Sequence, residues 1–311
     1  MNPAYSVILF TTASGTGYGL LALAAMVGLA HGPASSMAFG LTVTLVALGL
    51  ITTGLLSSTF HLGHPERAWR AFSQWRTSWL SREGVAAVIT YGPAVLFAAI
   101  WSGLIEAPGL LKPLAIITMV MCLITVITTG MIYASLKTVR RWHHWLTPVN
   151  YISLGLAGGG LVLSFLTTVF GHGQFFLYGF SVILLVLALA LKAWAWKAGD
   201  SAHESLTPAD ATGLKGTVRQ WEVAHTSANF VMKEMGYSVA RRHAEKLRRL
   251  AIFGLVAAIV LLALASMMPM AGLIFTGLAL VVGGAAIVTE RWLFFAEARH
   301  AVMLYYGADR A

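Results

Sequence analysis

Residues 57–84 read SSTFHLGHPERAWRAFSQWRTSWLSREG and hold the densest set of side chains able to do chemistry. His61 and Glu83 stand at its two ends. Between them lie Arg67, Arg70, Arg76 and Arg82, with Trp69, Trp75 and Trp79 interleaved. A neutral imidazole donates or accepts a hydrogen bond and, with a pKa near 6.5, passes a proton at neutral pH. A carboxylate beside an apolar wall relays protons from water. The Trp and Arg residues alone fit an interfacial helix, with rings at headgroup depth and guanidinium groups outside it. His61 and Glu83 fit that reading less well, because ionisable groups beside apolar helices are usually functional.

The elements that hold these residues are apolar. The chain has 311 residues, of which 58% are hydrophobic and 11% charged. Soluble domains carry about 25% charged residues. Mean hydropathy is +0.75. Eight stretches are each long enough for a helix of about 20 residues to cross a bilayer. They cover roughly 5–30, 37–61, 84–105, 111–136, 147–170, 174–196, 250–269 and 271–295. The start of the sequence lacks a basic n-region, so its apolar stretch is expected to be retained as the first span. The single cysteine, Cys122, sits within an apolar run, so this chain alone builds neither a disulfide nor a cysteine-ligated cluster. Small residues recur within the spans, notably Gly15, Gly17 and Gly19, then Gly155, Gly158, Gly159 and Gly160. They point to close helix–helix contact rather than to a substrate path. No internal repeat favours an inverted-repeat transporter.

The connections divide sharply by charge. Those after spans one, three, five and seven are short and almost uncharged. The others are basic: 62–83, 137–146 and the long 197–249. With eight spans, these fall on the same side as both ends of the chain. Twenty of the 21 Lys and Arg residues then lie on that face, and Lys112 alone lies on the other. Basic loops stay cytoplasmic during insertion, so this face and both termini are expected in the cytoplasm. The fold class is therefore an all-α membrane protein: a single domain over 1–311, built as a bundle of eight transmembrane helices. Segment 62–83 is its interfacial loop and 197–249 its basic cytoplasmic loop. The net charge of +9 follows from this topology without any nucleic-acid partner.

The sequence His61-Leu62-Gly63, then Pro65, Arg67 and Ala68, then Leu80-Ser81-Arg82-Glu83, resembles the signature of the membrane-anchor subunits of the dimethyl sulfoxide reductase family. The run Leu146 to Asn150 (LTPVN) resembles that family's TP motif, and the eight-span layout matches over essentially the whole chain. The resemblance implies an anchor for a molybdopterin catalytic subunit and an iron–sulfur subunit, exchanging electrons and protons with a quinone in the bacterial inner membrane. It places His61 and Glu83 at the quinone site, with Arg67 and Trp79 beside them. Arg67 either stabilises negative charge developing on the quinone or docks the partner. Docking of the iron–sulfur subunit is expected at Arg70, Arg76, Arg140, Arg141, Arg241 and Arg242. Molybdopterin and iron–sulfur clusters are expected in the partners only, and no metal site in this chain.

The cytoplasmic orientation points to the branch that oxidises sulfite and reduces quinone. The runs 289–307 (TERWLFFAEARHAVMLYYG) and MGYSVARRHAEKLRRL resemble that branch. The alternatives are a quinol-oxidising anchor of a dimethyl sulfoxide-type reductase, a b-haem anchor and a transporter. Haem wants a facing pair of histidines inside the bilayer, and a transporter wants polar groups at midplane. Neither pattern is present. The remaining histidines on the basic side, His143, His144, His225, His243 and His300, read as a solvated docking surface. Glu290, Arg291 and Glu297, where span eight leaves the bilayer, either close the quinone pocket or form a structural ion pair.

Overall fold

The computed structural model describes residues 2–172, 175–201, 206–222, 227, 229–236 and 243–311. Eight long apolar helices make up the bundle: α1 Tyr5–His31, α2 Met37–Ser57, α3 Trp79–Trp101, α4 Pro108–Ala134, α5 Leu146–Val169, α6 Phe175–Ser201, α7 Ala244–Met267 and α8 Gly272–Ala296. All eight are long and apolar enough to span a membrane. There is no β-strand among the described residues. A helix satisfies its own backbone in hydrocarbon, and the hydroxyls in these helices follow suit. Thr11, Ser14, Thr44 and Thr90 each donate to the carbonyl four residues back, at 2.9, 2.6, 2.8 and 2.7 Å.

The first and fifth helices form the centre, with 78% and 67% of their most apolar stretch buried. The glycines explain this. A Cβ on Gly19 would collide with the backbone of Gly155, and one on Gly159 with the backbone of Leu20. Gly17 meets Ala47 and Ile51 of α2 in the same way. These are the small-residue contacts expected from the sequence. Helix α4 packs on α1, α3 and α5, while α6, α7 and α8 close the other side of α5. Side chains such as Leu45, Val88, Ile89, Ile116, Ile183, Val260 and Ile274 point outward as an exposed apolar belt.

Two helices start five or more residues before their apolar runs. Ser78 caps α3, accepting from the Ser81 N–H, so Glu83 lies just past the first turn of the helix rather than at its edge. Helix α7 begins at Ala244, six residues before the apolar stretch at 250, with the basic turn EKLRR as its opening.

The connections at one end of the bundle are tied together. Asn2 N donates to Glu234 O at 2.7 Å, and Ser57 Oγ to Ser6 O at 3.0 Å. Ala301 N donates to Thr138 O at 2.9 Å, and Leu206 and Ala311 exchange a backbone pair. The 135–145 connection is pinned by buried Trp142, whose indole N–H donates to Phe294 O at 2.9 Å.

Candidate functional site

The α2–α3 connection is a folded segment rather than a free loop. A 3₁₀ turn, Ser58–His61, extends α2, and a second runs over Pro65–Gln74 with Pro65 at its first turn. Ser81 Oγ donates to Ala71 O. Arg82 reaches back along the segment and donates twice, to Trp75 O at 3.0 Å and Arg76 O at 2.7 Å. Its guanidinium lies 4.3 Å from the centre of the Trp79 ring. Arg82 thus clamps the connection onto α3, a role its place in a row of four arginines did not reveal.

Behind this clamp sits Glu83. It is 5% exposed and accepts a hydrogen bond from Thr129 Oγ1 of α4 at 2.6 Å. Among the described residues it makes no ion pair. A carboxyl held in an apolar wall by one hydroxyl is poised to take up or release a proton, because no fixed cation locks its charge. His61 closes the 3₁₀ turn at the end of α2; the placement of its side chain lies outside the described residues.

The other expected residues divide. Arg67 is exposed and pairs with Glu66 at 3.7 Å, while His64 Nδ1 lies 3.0 Å from the same carboxylate. Trp79 is half-buried beneath Arg82. Arg70 and Arg76 are exposed, each 5.6 Å from the ring of the tryptophan before it. Arg140 is exposed at the end of the bundle where the basic connections meet. Arg241, Arg242 and His225 lie outside the described residues.

Arg141 is spent within the protein. It pairs with Asp200 at 3.0 Å and with buried Glu297 at 3.2 Å. Arg248 holds the same two acids, Asp200 at 2.6 Å and Glu297 at 2.7 Å. Deeper still, Glu290 is 0% exposed between Lys192 Nζ at 2.5 Å and Arg291 Nε at 2.8 Å. The Arg291 guanidinium stacks 4.1 Å from the Tyr151 ring centre. Glu290, Arg291 and Glu297 therefore do form ion pairs. Their partners on α6 and α7, together with Arg141 of the 135–145 connection, were not legible, since Lys192 reads as a stray charge in an apolar run.

All of these charges except Glu290 line a cavity of about 430 Å³ where α5–α8 and the 135–145 connection meet.

A bundle of eight apolar helices, with most of its ionisable groups at one end and a buried carboxyl that makes no ion pair among the described residues, defines a membrane protein with a candidate site at that end. The chain belongs to the dimethyl sulfoxide reductase anchor subunit (DmsC) family, whose family model matches residues 1–296. It is 34% identical to the C subunit of the sulfite dehydrogenase of Allochromatium vinosum, over 98% of this chain and 99% of that protein. It is 28% identical to the C component of the anaerobic dimethyl sulfoxide reductase of Escherichia coli, over 56% of this chain and 62% of that one. No solved structure matches.

Proposed function

We propose that this protein is the quinone-reducing membrane anchor of a sulfite-oxidising complex. It holds a molybdopterin subunit through an iron–sulfur subunit and passes their electrons to a membrane quinone. The observation that carries the reading is Glu83, buried with no ion pair among the described residues and held by Thr129, at the mouth of α3. The carboxyl fits a quinone, whose reduction consumes two protons along with two electrons. In this reading Glu83 delivers protons, and Thr129 orients its carboxyl. His61 hydrogen-bonds the quinone from the end of α2. Trp79 walls the site, and Arg67 lies at its rim. The exposed Arg70, Arg76 and Arg140, with Arg241 and Arg242, meet the iron–sulfur subunit. Arg141, held by Asp200 and Glu297, serves the anchor itself.

The coverage of the sulfite dehydrogenase relative favours sulfite over dimethyl sulfoxide. So does charge, because the basic face then lies in the cytoplasm of a bacterial inner membrane, with both chain ends. Labelling of a tag placed near residue 215 tests that orientation, and labelling from outside intact cells refutes it. The quinone role is tested with His61→Ala and Glu83→Gln in the assembled complex. Sulfite-to-quinone turnover falls steeply while sulfite-to-dye turnover stays. Unchanged quinone turnover removes the residue from the site. A complex that reduces dimethyl sulfoxide with quinol, and does not oxidise sulfite, establishes the outward-facing alternative.

A further inference from the structure

The cavity between α5, α6, α7 and α8 is lined by none of the residues assigned above to the quinone. Its lining carries more positive than negative charge. Arg141, Lys192, Arg248, Arg291 and Arg299 face it beside Arg140, against the acids Asp200 and Glu297, and Glu290 pairs with Lys192 and Arg291 outside the lining. The acids are already shared. Asp200 and Glu297 lie between Arg141 and Arg248, and Glu290 lies between Lys192 and Arg291. Even with Arg140 set aside, the cations outnumber the carboxylates around a partly enclosed space.

The wall also offers unused hydrogen-bonding groups. Arg291 is 2% exposed, and neither of its terminal nitrogens has a hydrogen-bond partner among the described residues. Asn150 is 4% exposed. Its amide nitrogen donates to Leu146 O at 2.8 Å, and its Oδ1 accepts nothing among the described residues. Buried donors and acceptors left unpaired are costly, and a bound polar group relieves that cost.

The level of the cavity identifies the source of such a group. Its lining comes from the opening of α5 and α7 and the closing turns of α6 and α8, all at one end of the bundle. Beside it, Trp145 and Trp194 form an edge-to-face pair at 5.2 Å, and both are more than half exposed. An exposed tryptophan pair at helix ends marks the headgroup layer of a bilayer. Basic pockets between membrane helices at that depth suit anionic headgroups.

We infer that this cavity is a binding site for a phosphate-bearing anion, and that its source is the headgroup of an anionic phospholipid of the phosphatidylglycerol type. The surplus of cations takes the phosphate, and Asn150 Oδ1 accepts from a headgroup hydroxyl. The seated lipid then seals α5 and α6 to α7 and α8.

The test uses the purified complex, stripped of lipid in detergent. Phosphatidylglycerol, phosphatidylcholine and inorganic phosphate are added separately, and bound lipid is read by native mass spectrometry alongside thermal stability. Phosphatidylglycerol is expected to remain bound and raise the melting temperature, while phosphatidylcholine does neither. Arg299→Glu, at the exposed rim where folding is not at stake, weakens phosphatidylglycerol retention about tenfold or more. Lys192→Met, at the floor, lowers retention as well. Protection by inorganic phosphate equal to that by the lipid supports the anion site and assigns it a soluble ligand in place of a lipid. Equal retention of both lipids, or retention unaffected by Arg299→Glu, overturns the proposal.

Discussion

Glu290→Gln tests the electrostatic centre of the basic end. Glu290 is 0% exposed, and the substitution keeps its shape while removing the charge that Lys192 and Arg291 share at 2.5 and 2.8 Å. Two buried cations are then left without their counter-charge. Breaking a buried pair by removing one partner costs about 3–5 kcal/mol, because the stranded charge stays largely desolvated. That is a loss of roughly two to three and a half powers of ten in the folded-to-unfolded ratio. Lys192→Met strands less, because Arg291 still neutralises Glu290. The double variant Lys192→Met/Glu290→Gln should therefore be less destabilised than the sum of the singles, with a coupling of about 0.5–3 kcal/mol. The comparison is Glu245→Gln. Glu245 pairs with Arg249 one turn away at 3.7 Å, but both side chains are largely exposed. Such a pair contributes about 0.3–0.5 kcal/mol. Denaturant titration in detergent micelles, followed by tryptophan fluorescence, ranks the four proteins. If Glu290→Gln unfolds no more easily than Glu245→Gln, or if the two buried substitutions add without coupling, the account of this cluster is wrong.

Three further outcomes follow from the geometry. Thr129→Val removes the donor to Glu83 at 2.6 Å, so quinone-coupled turnover should fall while dye-linked turnover holds; steady-state assays with both acceptors check it. Gly159→Leu drives a side chain into the backbone of α1, where no flexible group can yield, so the variant should fail to accumulate in membranes, read by immunoblot. His300 Nδ1 accepts from the Val302 N–H at 3.0 Å, and burial holds its imidazole below the usual value of 6.5. The folded form then binds fewer protons than the unfolded one. The local stability it contributes is present above pH 6.5 and is lost as pH falls below that value. Hydrogen exchange of the Val302 amide should accelerate on acidification, and His300→Asn, which can still cap, should flatten the response.

The eight spans were legible because each is a long apolar run, and their small residues marked close helix contacts without showing that α1 and α5 are each other's partners. Helix starts were harder to read where charge continues a helix out of the apolar band. Trp79 to Glu83 looks like interfacial loop, yet Ser78 caps it and Arg82 fastens it to the preceding turn. EKLRR likewise looks like loop and is the first turn of α7. Glu83 was found from its motif, but its hydroxyl partner stands 46 residues away on α4, a pairing that no local pattern encodes. Distance in sequence also hid the tie between Lys192 of α6 and Glu290 of α8.

The meeting of α1 with α5 also bears on how the protein is made. Gly19 and Gly155 touch in the finished bundle, yet three complete helices are translated between them. At about 5–20 residues per second, α1 waits on the order of ten seconds for its partner. Helix α2 covers the Ser14 and Gly17 side of α1 early, but the face of Gly15, Thr16 and Gly19 has only lipid or a holding protein to lie against until α5 arrives. The central helix of the mature subunit is thus completed late in its own synthesis, and delayed production of α5 should leave this small-residue face open to quality-control proteases.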